Sequence, residues 1–136
     1  MTLDHHIRLA YINTVLDGGY TRLSGGAENP PEGYIVGGVT EPSTMFEEIA
    51  RSHHPDVSDH YAMFKKLWRT YDMQLDECVA PNIGVGTWIH EGKIYFDLVQ
   101  HIHDLDVATK MAKERGEIAI YDCKNQKDIL LNKLNQ

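Results

Sequence analysis

Asp97 is the residue whose type and position most clearly need a chemical explanation. It lies within Ile94 to Val99, a run typical of a β-strand, although aspartate is disfavoured in strands. A carboxyl held inside a sheet can act as a general acid or base when a second titratable group approaches it. That group would have to come from elsewhere in the fold. The sequence therefore assigns no catalytic residues, and it implies no cofactor.

A predicted β-hairpin positions Asp97. A second strand-like run, Ile83 to Ile89, precedes it, and Glu91-Gly92 fits a two-residue turn because the glycine supplies a positive φ. In this register Trp88 lies opposite Tyr95. Side chains alternate between the two faces of a sheet. One face is therefore apolar and suited to a layer of helices; it carries Val85, Thr87, Ile89, Ile94, Phe96 and Leu98.

The opposite face of the hairpin is mixed. It combines two aromatic side chains with a carboxylate, and two glycines leave space beside that carboxylate. We interpret it as a surface for a protein partner or a second copy of the chain, with the aromatic residues as anchors. The alternative is a half-solvated sheet face with ordinary cross-strand pairs. The predicted partner-binding residues are Trp88, His90, Lys93, Tyr95 and Asp97.

Two histidines after the second strand offer a metal-site hypothesis. His101 and His103 are two residues apart, which is a spacing that can ligate zinc or another transition metal. Asp97 could complete such a site. The alternative is a pair of solvent-exposed loop histidines.

A glycine-rich loop offers a small-molecule or nucleotide-binding alternative. Residues 24–32 lie between two short β-prone runs, 20–23 and 33–38. No Lys-Ser/Thr pair follows the glycines, so an ordinary surface loop is the simpler interpretation. The residues that would contact a ligand in this alternative are Arg22, Gly25, Gly26 and Tyr34.

The charge balance limits the classes of partner. The 136 residues include 13 lysines and arginines against 20 acidic residues, for a net charge of −7. This composition argues against direct binding to nucleic acid, since such binding needs clustered basic residues. Most of the acidity lies in residues 17–59, where eight acids face only Arg22 and Arg51. This acidic region is a second candidate surface for a protein partner.

The sequence also predicts a compartment. The two cysteines, Cys78 and Cys123, are in neither a disulfide framework nor a zinc-binding spacing. No basic region followed by an apolar run begins the chain, and no apolar stretch approaches the roughly 20 residues that a membrane span needs. We expect a cytoplasmic protein, in the host cytoplasm if it is viral, with no membrane partner.

Hydrophobic periodicity predicts three longer helices. The first has Leu3, Ile7, Tyr11 and Val15 on one face, the second runs from Asp56 or Ser58 to Leu75, and the third is capped by Asp104 and closed by Arg115-Gly116. The second has an apolar stripe of Tyr61, Phe64, Leu67, Trp68, Tyr71 and Leu75.

Two shorter elements are also predicted to be helical. Thr44 and Glu47 have the spacing of a capping box, which predicts a short helix to about Ser52. The tail from Gln126 is predicted to form a final short helix.

These elements sum to one α+β domain, residues 1–136. We expect a mixed, mostly antiparallel sheet of four or five strands, with helices packed mainly on one face. Residues 1–80 are mainly helical with an irregular hairpin over the glycine-rich loop, 81–122 form a β-β-α-β unit, and 123–136 form the tail. The helix in that unit is expected to connect two parallel strands.

The C-terminal half resembles a group of small uncharacterised proteins from bacteriophages, plasmids and actinobacterial mobile elements. The resemblance rests on the hairpin segment 86–97 (GTWIHEGKIYFD), the helix segment 104–117 and the strand 118–122 (IAIYD), with a short patch at 33–36 (GYIV). Glu117 stands where most members of the group have glutamine. The resemblance implies a genomic setting and carries no catalytic residues.

Three functions remain open from the sequence. The first is a non-enzymatic accessory protein of a phage or mobile element that binds a host protein, with counter-defence as one such role. The second is a protein that binds or sequesters a small molecule or nucleotide. The third is a metal-dependent enzyme around Asp97, His101 and His103.

Overall fold

The computed structural model describes residues 3–46, 57–78 and 82–131. Within these ranges it contains three helices and seven strands. In chain order they are α1 (Leu3–Asp17), β1 (Gly19–Leu23), β2 (Tyr34–Val36), β3 (Ser43–Phe46), α2 (Val57–Leu75), β4 (Ile83–His90), β5 (Lys93–Ile102), α3 (Leu105–Glu114), β6 (Ala119–Asp122) and β7 (Lys127–Leu130).

All the strands belong to one open, antiparallel sheet. Its order is β1-β4-β5-β2-β6-β7, with β3 also paired to β5. The predicted class, a single α+β domain, is confirmed, but the sheet has seven strands rather than four or five. Strand β5 pairs along one edge with the whole of β4. Along its other edge it pairs first with β3 and then with β2.

The helices pack on one face of the sheet. Ile94, Phe96 and Leu98 alternate along β5 toward this face and are completely buried. They form the main core with side chains of α1 and α2, namely Ile7, Ala10, Phe64, Trp68 and Tyr71. A second cluster lies under α3 and contains Val36, Ala108, Ala112, Ile120 and Leu131. Burial of these side chains is the main stabilising contribution to the fold.

The longer helices follow the predicted patterns, with one difference in α1. The apolar stripe of α2 is confirmed. Asp104 caps α3, because its Oδ1 accepts a hydrogen bond from the Val107 N–H at 3.0 Å. In α1, however, Val15 is 46% exposed and Thr14 is buried instead. The Thr14 and Thr87 hydroxyls hydrogen-bond at 2.6 Å, so the inward side of this helix combines the apolar Ile7 and Ala10 with a polar contact to the sheet.

Two predicted helices are strands where the structure describes them. Thr44 lies in β3, opposite Tyr95 of β5, so the capping-box prediction is wrong there. The rest of that predicted helix, 47–52, lies outside the described residues. Lys127–Leu130 is β7, paired with β6, rather than the start of a tail helix. Strand β3 pairs with β5, which is distant in the chain, and β7 pairs with β6, which directly precedes it. In both cases this strand pairing outweighs a local helical pattern.

The predicted hairpin around the glycine-rich loop is also wrong. Strand β1 pairs with β4, whereas β2 lies between β5 and β6. Strands β5 and β6 run in the same direction, as the connecting helix suggested, but β2 separates them and every pairing is antiparallel.

The loop after β1 instead folds back on the outer edge of that strand. The Leu23 N–H donates to the Ala27 carbonyl and the Asn29 N–H donates to the Thr21 carbonyl, both at 2.8 Å. The Thr21 N–H donates to Asn29 Oδ1 at 2.9 Å. The loop thus hydrogen-bonds the edge of β1 that faces away from β4.

Among the described helices, none has the length and apolar character needed to cross a bilayer.

Gly84 permits the close approach of β1 to β4. A Cβ at this buried position would overlap the backbone carbonyl oxygen of Arg22 and lie 2.7 Å from the Leu23 Cα. These are backbone atoms in the paired strand, so they cannot move without disturbing the sheet.

Replacing Gly84 by alanine should therefore destabilise the protein. We expect Gly84→Ala to lower the free energy of unfolding by about 1–3 kcal/mol through overpacking. Gly25→Ala is the matched control, because a Cβ there meets nothing within 4 Å. Urea unfolding followed by circular dichroism measures both variants. Equal midpoints for Gly84→Ala and the wild type would contradict the close approach.

Candidate functional site

The predicted hairpin register is confirmed. Strand β4 pairs with β5 from His90 opposite Lys93 through Trp88 opposite Tyr95, and Gly86 lies opposite Asp97. The turn residues Glu91 and Gly92 have φ of 49° and 78°. These two positive values are typical of a hairpin turn whose twist matches that of the strands.

One end of the face opposite the helices carries an aromatic patch. The rings of Trp88 and Tyr95 stack with centroids 5.3 Å apart and planes 6° apart. The His90 ring lies 6.4 Å from Tyr95, and both His90 and Lys93 are exposed. Trp88 and Tyr95 themselves are half-buried.

Phe46 extends this patch onto β3. It lies opposite Lys93, so it shares the face, and it is 73% exposed. The helix predicted from Thr44 to about Ser52 included Phe46, so sequence reasoning missed its place on this face of the sheet. We define the aromatic patch as Phe46, Trp88, His90, Lys93 and Tyr95.

Asp97 was predicted to belong to the same surface, but it is buried. Its exposed fraction is 1%. Its Oδ2 accepts a hydrogen bond from the Gly38 N–H at 2.6 Å. Asp97 is thus a contact inside the protein and does not reach a partner in this conformation.

The position of Asp97 explains why aspartate occurs in this strand. Strands β2 and β3 share one edge of β5, and residues 37–42 leave that edge between them. A backbone N–H that leaves a ladder needs another acceptor, because an unpaired buried donor is costly. The Asp97 carboxyl supplies this acceptor for Gly38.

A second carboxylate approaches Asp97 from the residues after α3. A Cβ on Gly37 would lie 2.5 Å from Glu117 Oε1 and 2.7 Å from Asp97 Oδ2. Both carboxylates therefore face the same glycine, and any larger residue at position 37 would displace them.

Arg115 completes this carboxylate cluster. Its Nη2 donates to Gln100 Oε1 at 2.6 Å, and its Nη1 donates to the Gly37 carbonyl at 3.3 Å. Sequence reasoning used Arg115 only as the end of the third helix and gave Glu117 no functional role. The available signal was Glu117 itself, a charged residue in the short connection between α3 and β6.

The cluster raises the pKa of both carboxyls. Burial raises the pKa of Asp97 to about 7; the Gly38 N–H opposes this shift and the Glu117 charge adds to it. Burial also raises the pKa of Glu117, and Arg115 opposes that shift. None of the described residues gives Asp97 Oδ1 a hydrogen-bond partner. This lone acceptor adds to the cost of ionising Asp97.

This arrangement can hold a proton near neutral pH. A carboxyl with such a pKa is suited to proton transfer, but with 1% exposure Asp97 is closed to a substrate. In the structure, Asp97 accepts the hydrogen bond of the Gly38 N–H at the point where the chain leaves the pairing of β2 with β5.

The metal-site residues do not come together. Asp97 and His101 are four residues apart on β5, a separation of about 13 Å at the usual rise along a strand. The His101 and His103 rings are in contact, with centroids 4.8 Å apart. However, His101 Nε2 is 2.7 Å from the Glu32 carbonyl oxygen. No group of three or more His, Cys, Asp or Glu side chains suited to a metal ion occurs within the described ranges.

The alternative ligand residues are only partly assembled. Arg22 Nη2 lies 3.8 Å from the position of a Cβ on Gly26, and Gly25 belongs to the same loop. Tyr34 is elsewhere, on β2, packed against the cluster under α3. The structure thus joins Arg22 to the glycines and separates Tyr34 from them.

Comparisons with protein-family models, with curated proteins and with solved structures find no match to this chain.

The raised pKa of Asp97 predicts a pH dependence of stability. At pH values between the ordinary aspartate pKa near 4 and about 7, the folded protein keeps a proton that the unfolded chain loses. The stability that this proton provides is complete below pH 4 and disappears as the pH rises to 7. Relative to Asp97→Asn, the wild type should lose on the order of 4 kcal/mol between pH 4 and 8.

Urea unfolding at a series of pH values measures this difference. Asp128→Asn, at an exposed position on β7, is the control and should follow the wild-type curve. Parallel curves for the wild type and Asp97→Asn would show that Asp97 titrates normally.

Proposed function

We propose that the protein is a non-enzymatic binding protein that engages another protein through the aromatic patch. The observation that carries this proposal is the stacked, solvent-facing pair Trp88 and Tyr95, bordered by the exposed Phe46. A set of three aromatic side chains on adjacent strands offers a large contact area on a rigid support.

The physical properties of the patch suit a protein interface. The centres of such interfaces are enriched in aromatic residues and depleted in charge. Trp88 and Tyr95 already hold each other in one orientation, so binding orders few side chains and loses little entropy. At the rim, the exposed Lys93 and Glu91 contribute one charge of each sign, which can pair with opposite charges on a partner while remaining in contact with water.

A protein partner fits this chain better than a nucleic acid. Stacked aromatic rings can also bind bases of single-stranded nucleic acid, but that mode requires a basic groove along the backbone. The net charge of −7 opposes it. The acidic region, residues 17–59, is a weaker candidate surface; of it, residues 47–56 lie outside the described residues.

The resemblance to proteins of phages and mobile elements supports a host protein as the partner. In this proposal the protein acts in the host cytoplasm as an accessory factor, of which counter-defence is one form. A second copy of the chain is the competing occupant of the patch.

Photo-crosslinking from the patch tests the proposal. A benzoylphenylalanine at position 93 should capture a specific protein in the cells that carry the gene. The double variant Trp88→Ala/Tyr95→Ala should lower capture by about 10-fold or more, because such anchors dominate binding energy. Met73→Ala removes an exposed apolar side chain from α2 and is the matched control, with capture unchanged.

Two results would overturn the proposal. One is equal capture by the double variant when circular dichroism shows that it remains folded. The other is a crosslink only to the protein itself, together with a dimer in analytical ultracentrifugation that the double variant abolishes.

A further inference from the structure

The two strands at the ends of the sheet order differ in how their outer edges are paired. The outer edge of β1 is hydrogen-bonded by the loop that contains Ala27 and Asn29. At the other end lies β7, which pairs with β6 and with no other described strand. The free edge of a strand presents a row of backbone donors and acceptors to another chain. The β7 edge is therefore a place where the sheet can be extended.

The hydrogen bonds between β6 and β7 show which backbone groups of β7 point outward. The Leu131 N–H donates to the Ile118 carbonyl at 2.9 Å, and the β6–β7 register continues to this pair. Hydrogen-bonded and non-hydrogen-bonded pairs alternate along an antiparallel ladder. The Ile129 backbone therefore bonds to β6, whereas the N–H and C=O groups of Asp128 and Leu130 point away from it. None of the described residues forms a backbone hydrogen bond with these outward groups.

A second copy of β7 matches the outward groups in one register. A two-fold axis through Ile129 places Asp128 of each copy opposite Leu130 of the other. Both pairs then exchange two backbone hydrogen bonds, so all four outward groups of each copy are paired. An axis through Lys127 or Asp128 would instead place like charges opposite each other, which is destabilising. An axis through Leu130 would leave Asp128 opposite a residue beyond the end of β7.

The side chains favour the same register on both faces of the sheet. Ile129 packs against the cluster under α3. The two copies of Ile129 would form a non-hydrogen-bonded pair, in which side chains approach most closely, so the two apolar layers would become continuous. On the face without helices, Tyr121 and Leu130 are 38% and 41% exposed. The two copies of Leu130 would be diagonal neighbours there, within reach of each other.

The charge near this edge allows two copies to approach. Residues 119–130 contain two aspartates and two lysines, so this hairpin carries no net charge, although the whole chain carries −7. The strand at the other end of the sheet, β1, belongs to the acidic region of residues 17–59. Copies that meet at β7 therefore bring together the neutral end of the sheet, where charge repulsion is small.

We propose that the protein forms a two-fold symmetric dimer in which β7 pairs antiparallel with β7 of a second copy, centred on Ile129. This inference does not rest on the aromatic patch. A pairing of four-residue strands is smaller than a standard interface of about 800 Å² per partner, so we expect a weak dimer with a Kd on the order of 100 µM.

Sedimentation equilibrium of the full chain up to about 1 mM tests the dimer. Leu130→Asp places a carboxylate opposite Asp128 twice in the dimer and should raise the Kd by about 10-fold or more. Leu130→Lys instead places an ammonium group opposite Asp128 and should keep the dimer. The double variant Leu130→Asp/Asp128→Lys exchanges the two charges and should restore it. Both positions are exposed, and circular dichroism verifies that each variant is folded.

Cysteine cross-linking measures the register directly. Ile129→Cys places the two new thiols in one opposed pair, with Cα atoms about 4.5 Å apart, which a disulfide can bridge. Asp128→Cys is the matched control, because its two copies are offset by two residues and their Cα atoms lie about 8 Å apart, beyond the reach of a disulfide. Oxidation should give a covalent dimer of Ile129→Cys alone. This arm decides the proposal if Leu130→Asp does not fold.

Two further variants separate this dimer from association through other surfaces. Trp88→Ala/Tyr95→Ala should keep the dimer, so failure of the proposed function leaves this result unaffected. Leu16→Asp, which changes a side chain 76% exposed on α1, should also keep it.

Three results would overturn the inference. One is a monomer at every concentration. Another is a dimer that survives Leu130→Asp or is lost with Leu130→Lys, Leu16→Asp or the aromatic double variant. The third is disulfide formation by Asp128→Cys that equals or exceeds that by Ile129→Cys.

Discussion

The hydrogen bond between the Gly38 N–H and the Asp97 carboxyl lies where the edge of β5 passes from β3 to β2, and the sheet needs an acceptor at this point. One edge of this strand must serve both β2 and β3, and the chain between them has to leave the ladder and return. Asp97 accepts the backbone donor released at that point. The pair of glycines leaves room for this carboxyl and for Glu117. The centre of the sheet thus depends on a polar contact in a place where apolar packing is usual.

The sheet separates the aromatic patch from a cavity that lies among the helices. The aromatic patch lies on the face without helices, at the turn of the β4–β5 hairpin. The cavity lies under α1 and α2, on the helix side, and its lining includes Arg22 from β1 and Asp72 from α2. Because the layer between them is a paired sheet with a buried core, the two regions can be altered independently. Residues distant by more than about 10 Å without shared partners usually behave additively.

Short-range sequence patterns were sufficient to predict the elements whose contacts join residues close together in the chain. The alternation of residues 83–98 and the Glu91-Gly92 turn determined the hairpin register, and the apolar stripe determined α2. The N-cap of α3 by Asp104 could also be predicted from the sequence. Each of these depends on residues a few positions apart, where the backbone geometry is known in advance.

The sequence could not predict the contacts that depend on the edge of β5 that pairs with β2 and β3. Thr44 begins a local capping pattern, yet β3 forms because β5 offers unpaired backbone groups beside it. The same holds for Phe46, whose exposure on the patch follows from that pairing. Asp97 was recognised as unusual, but its partner Glu117 is 20 residues away and arrives only because α3 ends beside Gly37. The position of Glu117 beside Asp97 therefore depends on the assembled sheet and cannot be inferred from the spacing of residues in the sequence.

The loop that folds back along β1 has a consequence for behaviour at high concentration. An open sheet ends in strands whose backbone groups can recruit another chain, which is a common route to aggregation. Residues Ala27 and Asn29 occupy donors and acceptors on the outer side of β1, so a strand from another molecule finds that edge already hydrogen-bonded. The glycine-rich segment, which the sequence suggested as a ligand loop, thereby protects the β1 edge of the sheet against pairing with another molecule.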